Sequence, residues 1–115
     1  MANNLLITWP LANTPKNLAE LELQYNSLEY IFPKDREVDS LKTLDVSHNH
    51  IDHLPNTQFF KLDKLDLSYN RLTTVPQNLN TMTPMLYELI LDGNQITSVF
   101  FGDRTTLGTI SLSHM

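Results

Sequence analysis

Residues 62–72 read Leu62-Asp63-Lys64-Leu65-Asp66-Leu67-Ser68-Tyr69-Asn70-Arg71-Leu72, and the same pattern recurs three more times. From Leu18 the chain reads LAELELQYNSL, from Leu41 LKTLDVSHNHI, and from Leu86 LYELILDGNQI. Each copy is L-x-x-L-x-L-x-x-N-x-L, with Val46, Ile51 and Ile96 as conservative replacements. The copies start at 18, 41, 62 and 86, so the repeats are 23, 21 and 24 residues long. A fifth copy opens at Leu107 (LGTISLSHM) and stops where its Asn falls due, at Met115. A partial copy opens the chain, where Asn4, Leu6, Trp9 and Pro10 match the second half-motif. That half-motif also occurs as Asn49-Ile51-Leu54-Pro55 and Asn70-Leu72-Val75-Pro76.

The spacing inside each copy dictates local structure. Leu21 and Leu23, Leu44 and Val46, Leu65 and Leu67, Leu89 and Leu91, and Ile110 and Leu112 are two apart. Residues at that interval share one face of a strand. A strand of about three residues cannot bury such a face alone, so units of this kind stack and pair in parallel. The second halves supply two further columns of apolar residues. One is Leu6, Leu28, Ile51, Leu72 and Ile96; the next is Trp9, Ile31, Leu54, Val75 and Val99. Val38 and Phe59 each stand three places ahead of a first Leu, an F-x-x-L feature that the other copies fit poorly.

Periods of 20–29 residues with this motif resemble the leucine-rich repeat family. The resemblance covers nearly the whole chain. It implies an α/β-type solenoid: a horseshoe arc with a short parallel sheet on its concave side, irregular convex loops and few or no true helices. The expected organisation is a single solenoid over 1–115. Residues 1–17 form a partial first repeat and lead-in loop, 18–40, 41–61, 62–85 and 86–106 are full repeats, and 107–115 is a truncated one.

The lead-in, Thr8-Trp9-Pro10 followed by Pro15-Lys16-Asn17-Leu18, looks like that of lamprey variable lymphocyte receptors and small leucine-rich proteoglycans. The repeats also resemble Toll-like receptors and mosquito leucine-rich immune proteins. The resemblance therefore implies an extracellular or cell-surface ectodomain of a receptor or immune protein. Cys caps flank the repeats in such proteins, and this sequence has none. The expectation is an uncapped piece of a longer solenoid, prone to self-association through open ends or edge strands. A cytoplasmic setting stays open, because none of the 11 Asn residues begins an N-x-[ST] glycosylation motif.

Composition excludes other classes. The 115 residues carry 8 Lys+Arg against 13 Asp+Glu, a net charge of −5. A nucleic-acid binder needs a basic footprint to displace counterions from phosphates. The longest aliphatic runs, Leu5-Leu6-Ile7 and Leu89-Ile90-Leu91, are far shorter than the ~20 apolar residues of a membrane span. No thiol is present, and no G-x-S-x-G, phosphate-loop or H-E-x-x-H motif occurs, so no enzyme is expected. No cofactor is implied. His48, His50, Asp52 and His53 form the one metal-like cluster, but their spacing matches no strong ligand motif, and exposed histidines are the expected reading.

Two sets of residues stand out. Asn26, Asn49, Asn70 and Asn94 form a column at the turn after each strand. An Asn amide both donates and accepts, so the expected role is structural: satisfying inward backbone groups in its own turn and the next. The third, fifth, seventh and eighth places of each copy point out of the concave face. They include Glu20, Glu22, Asp45, Asp66, Glu88 and Asp92, six of the 13 acids, and only one of the 8 basic residues, Lys64. Tyr25, His48, Tyr69 and His114 share the eighth place. A carboxylate strip beside rings suits a protein or peptide ligand of basic character, since charge steers approach and Tyr supplies contact area. Two readings remain open. One is a recognition module that binds through Glu20, Glu22, Tyr25, Asp45, His48, Asp66, Tyr69, Glu88 and Asp92. The other is a structural or scaffold segment, or an intracellular regulator, whose Asp and Ser are simply soluble strand residues and which binds no free ligand.

Overall fold

A computed structural model describes residues 18–28, 37–38, 40–52, 58–74, 83–97 and 109–111. The opening partial repeat, the column from Trp9 to Val99, His53, Leu112, Ser113 and His114 lie outside them. The described strands are β1 (Glu20–Glu22), β2 (Glu37–Val38), β3 (Thr43–Asp45), β4 (Gln58–Phe59), β5 (Lys64–Asp66), β6 (Glu88–Ile90) and β7 (Thr109–Ser111). No helix occurs among the described residues.

Five strands form one sheet in the order β1-β3-β5-β6-β7, every neighbour parallel. The register follows the repeat. Leu21, Leu44, Leu65, Leu89 and Ile110 pair across adjacent strands. Each strand has just three residues, yet the ladder continues past its end. Leu23 N–H donates to the Asp45 carbonyl at 2.8 Å, Val46 to Asp66 at 3.0 Å, Leu67 to Ile90 at 2.8 Å and Leu91 to Ser111 at 2.8 Å. Parallel pairing leaves no short hairpin, so each strand must be followed by a return path. The second half of each repeat is that path.

The core is a stack of columns, one residue per repeat. Leu41, Leu62 and Leu86 form the first; Leu44, Leu65 and Leu89 the second; Leu23, Val46, Leu67 and Leu91 the third; Leu28, Ile51, Leu72 and Ile96 the fourth, all of them buried. The period-2 alternation fits because the sheet buries one face only. The residues between the Leu pair stay half-buried or exposed.

A second sheet pairs β2 with β4 in parallel, Glu37 with Gln58 and Val38 with Phe59. Phe59 is fully buried, and its carbonyl accepts from Leu62 N–H at 3.3 Å. Thr83 stands at the same place one repeat later. It too is fully buried, and its carbonyl accepts from Leu86 N–H at 3.2 Å. The turn ahead of the first Leu therefore recurs where the apolar residue does not. Its backbone geometry outlasts the F-x-x-L signal, which explains why the fourth copy fits that pattern poorly in sequence.

Candidate functional site

The Asn column lies under the outward face and shapes it. Asn49 Nδ2 donates to the carbonyls of Leu23, Val46 and Ser47, each at 3.0 Å, and its Oδ1 accepts from Leu28 N–H at 3.0 Å. Asn70 repeats the set on Val46, Leu67, Ser68 and Ile51, and Asn94 on Leu67, Leu91, Asp92 and Leu72. Asn26 donates to Leu23 and Gln24. Asn49, Asn70 and Asn94 thus each serve their own turn and the preceding repeat, not the next one. The amide leans toward the carbonyl at the end of the upstream strand, which the upstream Asn also holds. It also reaches the N–H that opens the upstream return path.

Above this column the fifth places form a row in register: Glu22 beside Asp45, Asp45 beside Asp66, Asp66 beside Ile90 and Ile90 beside Ser111. The third places give Glu20, Thr43, Lys64, Glu88 and Thr109. Two of the acids also act locally. Asp45 Oδ1 accepts from Ser47 N–H at 3.0 Å and Ser47 Oγ at 2.7 Å, and Asp66 does the same with Ser68 at 3.0 and 2.6 Å. Such Asp-to-backbone bonds two residues on are Asx turns. They carry Ser47 and Ser68 into the turn, where both are buried rather than solvent-facing. Asp92 instead takes Ser111 Oγ of the next repeat at 2.6 Å. Repeat one has Glu22 and Gln24 at these places, and Gln24 Oε1 is buried without a hydrogen-bond partner.

The eighth places bring three rings together. Tyr25 stacks on His48 with centroids 4.3 Å apart and planes 13° from parallel, and His48 stacks on Tyr69 at 4.6 Å and 10°. His48 therefore has a ring on each face, while Tyr25 (52% exposed) and Tyr69 (44%) keep outer edges in solvent. All three have left-handed backbones, with φ of 60°, 55° and 55°. Gly93, the fourth member of the column, has φ 72°. For a non-Gly residue this region costs roughly 1–2 kcal/mol. Two stacked pairs return ~0.5–1.5 kcal/mol each. The ladder bonds Tyr25 N–H to Ser47, His48 N–H to Ser68 and Tyr69 N–H to Asp92, at 3.1, 2.9 and 2.7 Å, hold the conformation.

Sequence reasoning placed the rings in one column but missed the backbone conformation. The signal was Gly93 itself, the residue that adopts positive φ at least cost.

Gly93 is also where the stack ends. A Cβ there would lie 2.3, 2.6 and 2.8 Å from Cδ1, Cε1 and Cγ of Tyr69, so the ring rests on the glycine backbone. Gly93→Ala is expected to evict that ring. The loss is about 1–2 kcal/mol from the backbone alone, together with the Tyr69 contact to His48. Proton NMR of the His48 ring checks this, because its upfield ring-current shift should shrink. An unchanged shift together with an unchanged melting midpoint would contradict the eviction.

Of the expected site residues, Glu22, Asp45 and Asp66 share one row and Tyr25, His48 and Tyr69 another. Glu20 and Glu88 lie at the third places, and Asp92 sits in the turn next to Gly93. Among the described residues no group of three or more His, Asp or Glu is arranged to hold a metal ion.

Comparison with known proteins adds the family. Residues 39–96, just over half of the chain, match the Leucine rich repeat family. Over 90 residues the chain is 32% identical to fibromodulin of Oryctolagus cuniculus, an alignment covering 78% of this chain and 61% of that protein. It is 31% identical over 83 residues to fibromodulin of Homo sapiens, covering 72% and 22%. Lumican of Gallus gallus is 34% identical over 131 aligned positions, covering 86% and 36%. The chain thus spans between about a fifth and three fifths of the length of these relatives. With the repeat register, the all-parallel sheet and the Asn column in place, the chain belongs to the leucine-rich repeat family.

Proposed function

We propose that this chain is a protein-binding module that holds a basic protein or peptide on the outward, concave face of its five-stranded sheet. The observation that carries this reading is the in-register row Glu22, Asp45, Asp66 beside the exposed edges of Tyr25 and Tyr69. Solenoids of this kind use extended concave surfaces for binding. Exposed aromatic edges supply contact area, and a single-sign row supplies steering. The reading assigns binding and no catalytic step. A receptor or immune role is a narrower form of it.

One observation favours the second reading, a structural segment with no ligand of its own: Asp45 and Asp66 already serve Ser47 and Ser68. The two readings separate in one experiment. The variant Glu22→Gln/Asp45→Asn/Asp66→Asn removes three charges while Asn keeps the Oδ1 acceptor that Ser uses. A lysine-rich peptide and a glutamate-rich peptide of equal length are titrated against both proteins at low and high salt. On the binding reading only the lysine-rich peptide binds, and salt weakens it. The variant should then lose about tenfold in affinity, since exposed ion pairs contribute ~0.2–1 kcal/mol each. If both peptides bind equally weakly and the variant changes nothing, the chain is a structural segment.

A further inference from the structure

We propose that the rim where the chain enters β5 and β6 is a two-fold interface with a second copy of this chain. It lies apart from the concave face and does not rest on the protein-binding reading above.

Among the described residues, the large apolar side chains left exposed are Tyr25, Phe60, Tyr69, Met85, Tyr87 and Ile110. Tyr25 and Tyr69 belong to the ring column and Ile110 to β7; the other three gather on one rim. The third and fourth repeats enter their strands through the same turn. Leu62 N–H donates to the Phe59 carbonyl at 3.3 Å, and Leu86 N–H to the Thr83 carbonyl at 3.2 Å. Tyr87 N–H then donates to the Asp63 carbonyl at 2.9 Å, and Lys64 pairs with Glu88. Phe60 therefore stands level with Pro84, Lys61 with Met85 and Asp63 with Tyr87, about 4.8 Å apart. Met85 is 60% exposed, Tyr87 56% and Phe60 36%. The repeat does not require apolar residues there. The place of Tyr87 holds Ala19, Lys42 and Asp63 in the other repeats, and the place of Met85 holds Ser40 and Lys61. A contiguous apolar patch that folding does not use marks an interaction surface. Met and aromatic residues are the types such surfaces enrich.

The charges of the patch select the occupant. Lys61 and Asp63 flank the buried Leu62; both are exposed, and neither forms an ion pair with another described residue. Met85 and Tyr87 flank the buried Leu86 in the same way. A two-fold axis laid along the stacking direction, over Leu62 and Leu86, exchanges the two sides of each repeat. It brings Lys61 onto Asp63 of the second copy and Met85 onto Tyr87 of the second copy, and each contact is made twice. That is the self-complementarity an isologous interface requires. Lys42, on the neighbouring repeat, then faces Ser40 of the second copy, so the axis sets no like charges directly opposite each other. The concave row offers no such match, because Glu22, Asp45 and Asp66 carry one sign and repel their own copy. The arrangement puts apolar side chains beside opposite charges, the core-and-rim pattern of protein interfaces.

Sedimentation equilibrium of the full chain tests this. The parent should dimerise reversibly as concentration rises, and Met85→Ser/Tyr87→Ser should weaken the dimer about tenfold or more. Lys61→Glu and Asp63→Lys should each weaken it too, because each sets like charges opposite one another at both contacts. An equimolar mixture of those two variants should regain the parent's affinity, since a mixed dimer restores an opposite-charge pair at each contact. All four side chains are exposed, so the variants should keep the fold. Glu22→Gln/Asp45→Asn/Asp66→Asn should leave the dimer unchanged. A parent still monomeric at ~1 mM overturns the interface. A dimer indifferent to Met85→Ser/Tyr87→Ser, or one lost in the triple concave variant, puts the contact elsewhere and overturns it as well. No recovery in the mixture overturns the two-fold arrangement.

Discussion

Asn49→Ala is expected to destabilise the chain by about 3–5 kcal/mol, a large part of the ~5–15 kcal/mol that holds a typical domain. The estimate follows from what the side chain leaves behind. Its loss strands the N–H of Leu28 and takes one donor from each of the Leu23, Val46 and Ser47 carbonyls, which keep Asn26, Asn70 and Tyr25 N–H respectively. All four bonds lie in the interior; the orphaned N–H costs ~1–3 kcal/mol and each of the three other lost bonds ~0.5–1.5 kcal/mol. Water can rescue some of them once the turn loosens, so the total stays below the full sum. Two of the affected groups, the Leu23 carbonyl and the Leu28 N–H, belong to the preceding repeat, so the damage crosses the repeat boundary. Thermal melting should fall by roughly 10–20 °C. Arg71→Ala, an exposed change next to Asn70, should stay within about 0.5 kcal/mol of the parent. Asn49→Asp tests the mechanism further. It keeps the acceptor for Leu28 but faces three carbonyls with a carboxylate, so it should be at least as damaging as Ala. A shift for Asn49→Ala no larger than that for Arg71→Ala would remove the Asn column from the account of stability.

The repeat made most of the fold legible. Once the copies at 18, 41, 62 and 86 are aligned, Leu21, Leu44, Leu65 and Leu89 must share a row, and the parallel register follows without further information. The same alignment put Glu22, Asp45 and Asp66 side by side. Three things were less legible. The direction in which each Asn reaches is not encoded in its identity, since an amide can serve either neighbour; the offset between strand end and return path decides it. The two D-x-S copies, Asp45-Val46-Ser47 and Asp66-Leu67-Ser68, look like solvated filler until the Asx turns bury their serines. The left-handed backbone at the eighth place was hidden because Tyr, His and Tyr are poor predictors of it. Only Gly93 in their column signalled it.

The column structure makes a second strong prediction, about position rather than chemistry. Leu65→Ala should cost roughly 3–5 kcal/mol, within the range for fully buried Leu-to-Ala changes that leave a cavity. Leu65 is fully buried on the central strand, with Leu44 on one side and Leu89 on the other in register. Its methyl groups cannot be replaced by collapse from either neighbour, because both are pinned by their own ladder bonds. Ile110 occupies the same column on β7 but is 39% exposed. Ile110→Ala removes a similar amount of side chain and should cost only ~1 kcal/mol, mostly lost transfer energy with little cavity. In a solenoid, stability is close to a sum of repeat terms and nearest-neighbour interfaces. A central column member contributes to two interfaces, and loosening them should uncouple the repeats on either side. Chemical denaturation is therefore expected to show a lower midpoint for Leu65→Ala, with a shallower transition as the two halves begin to unfold separately. Ile110→Ala should keep the parent slope. Equal midpoint losses for the two substitutions would mean that the column is not read repeat by repeat, and that the chain unfolds as one unit whose ends matter as much as its centre.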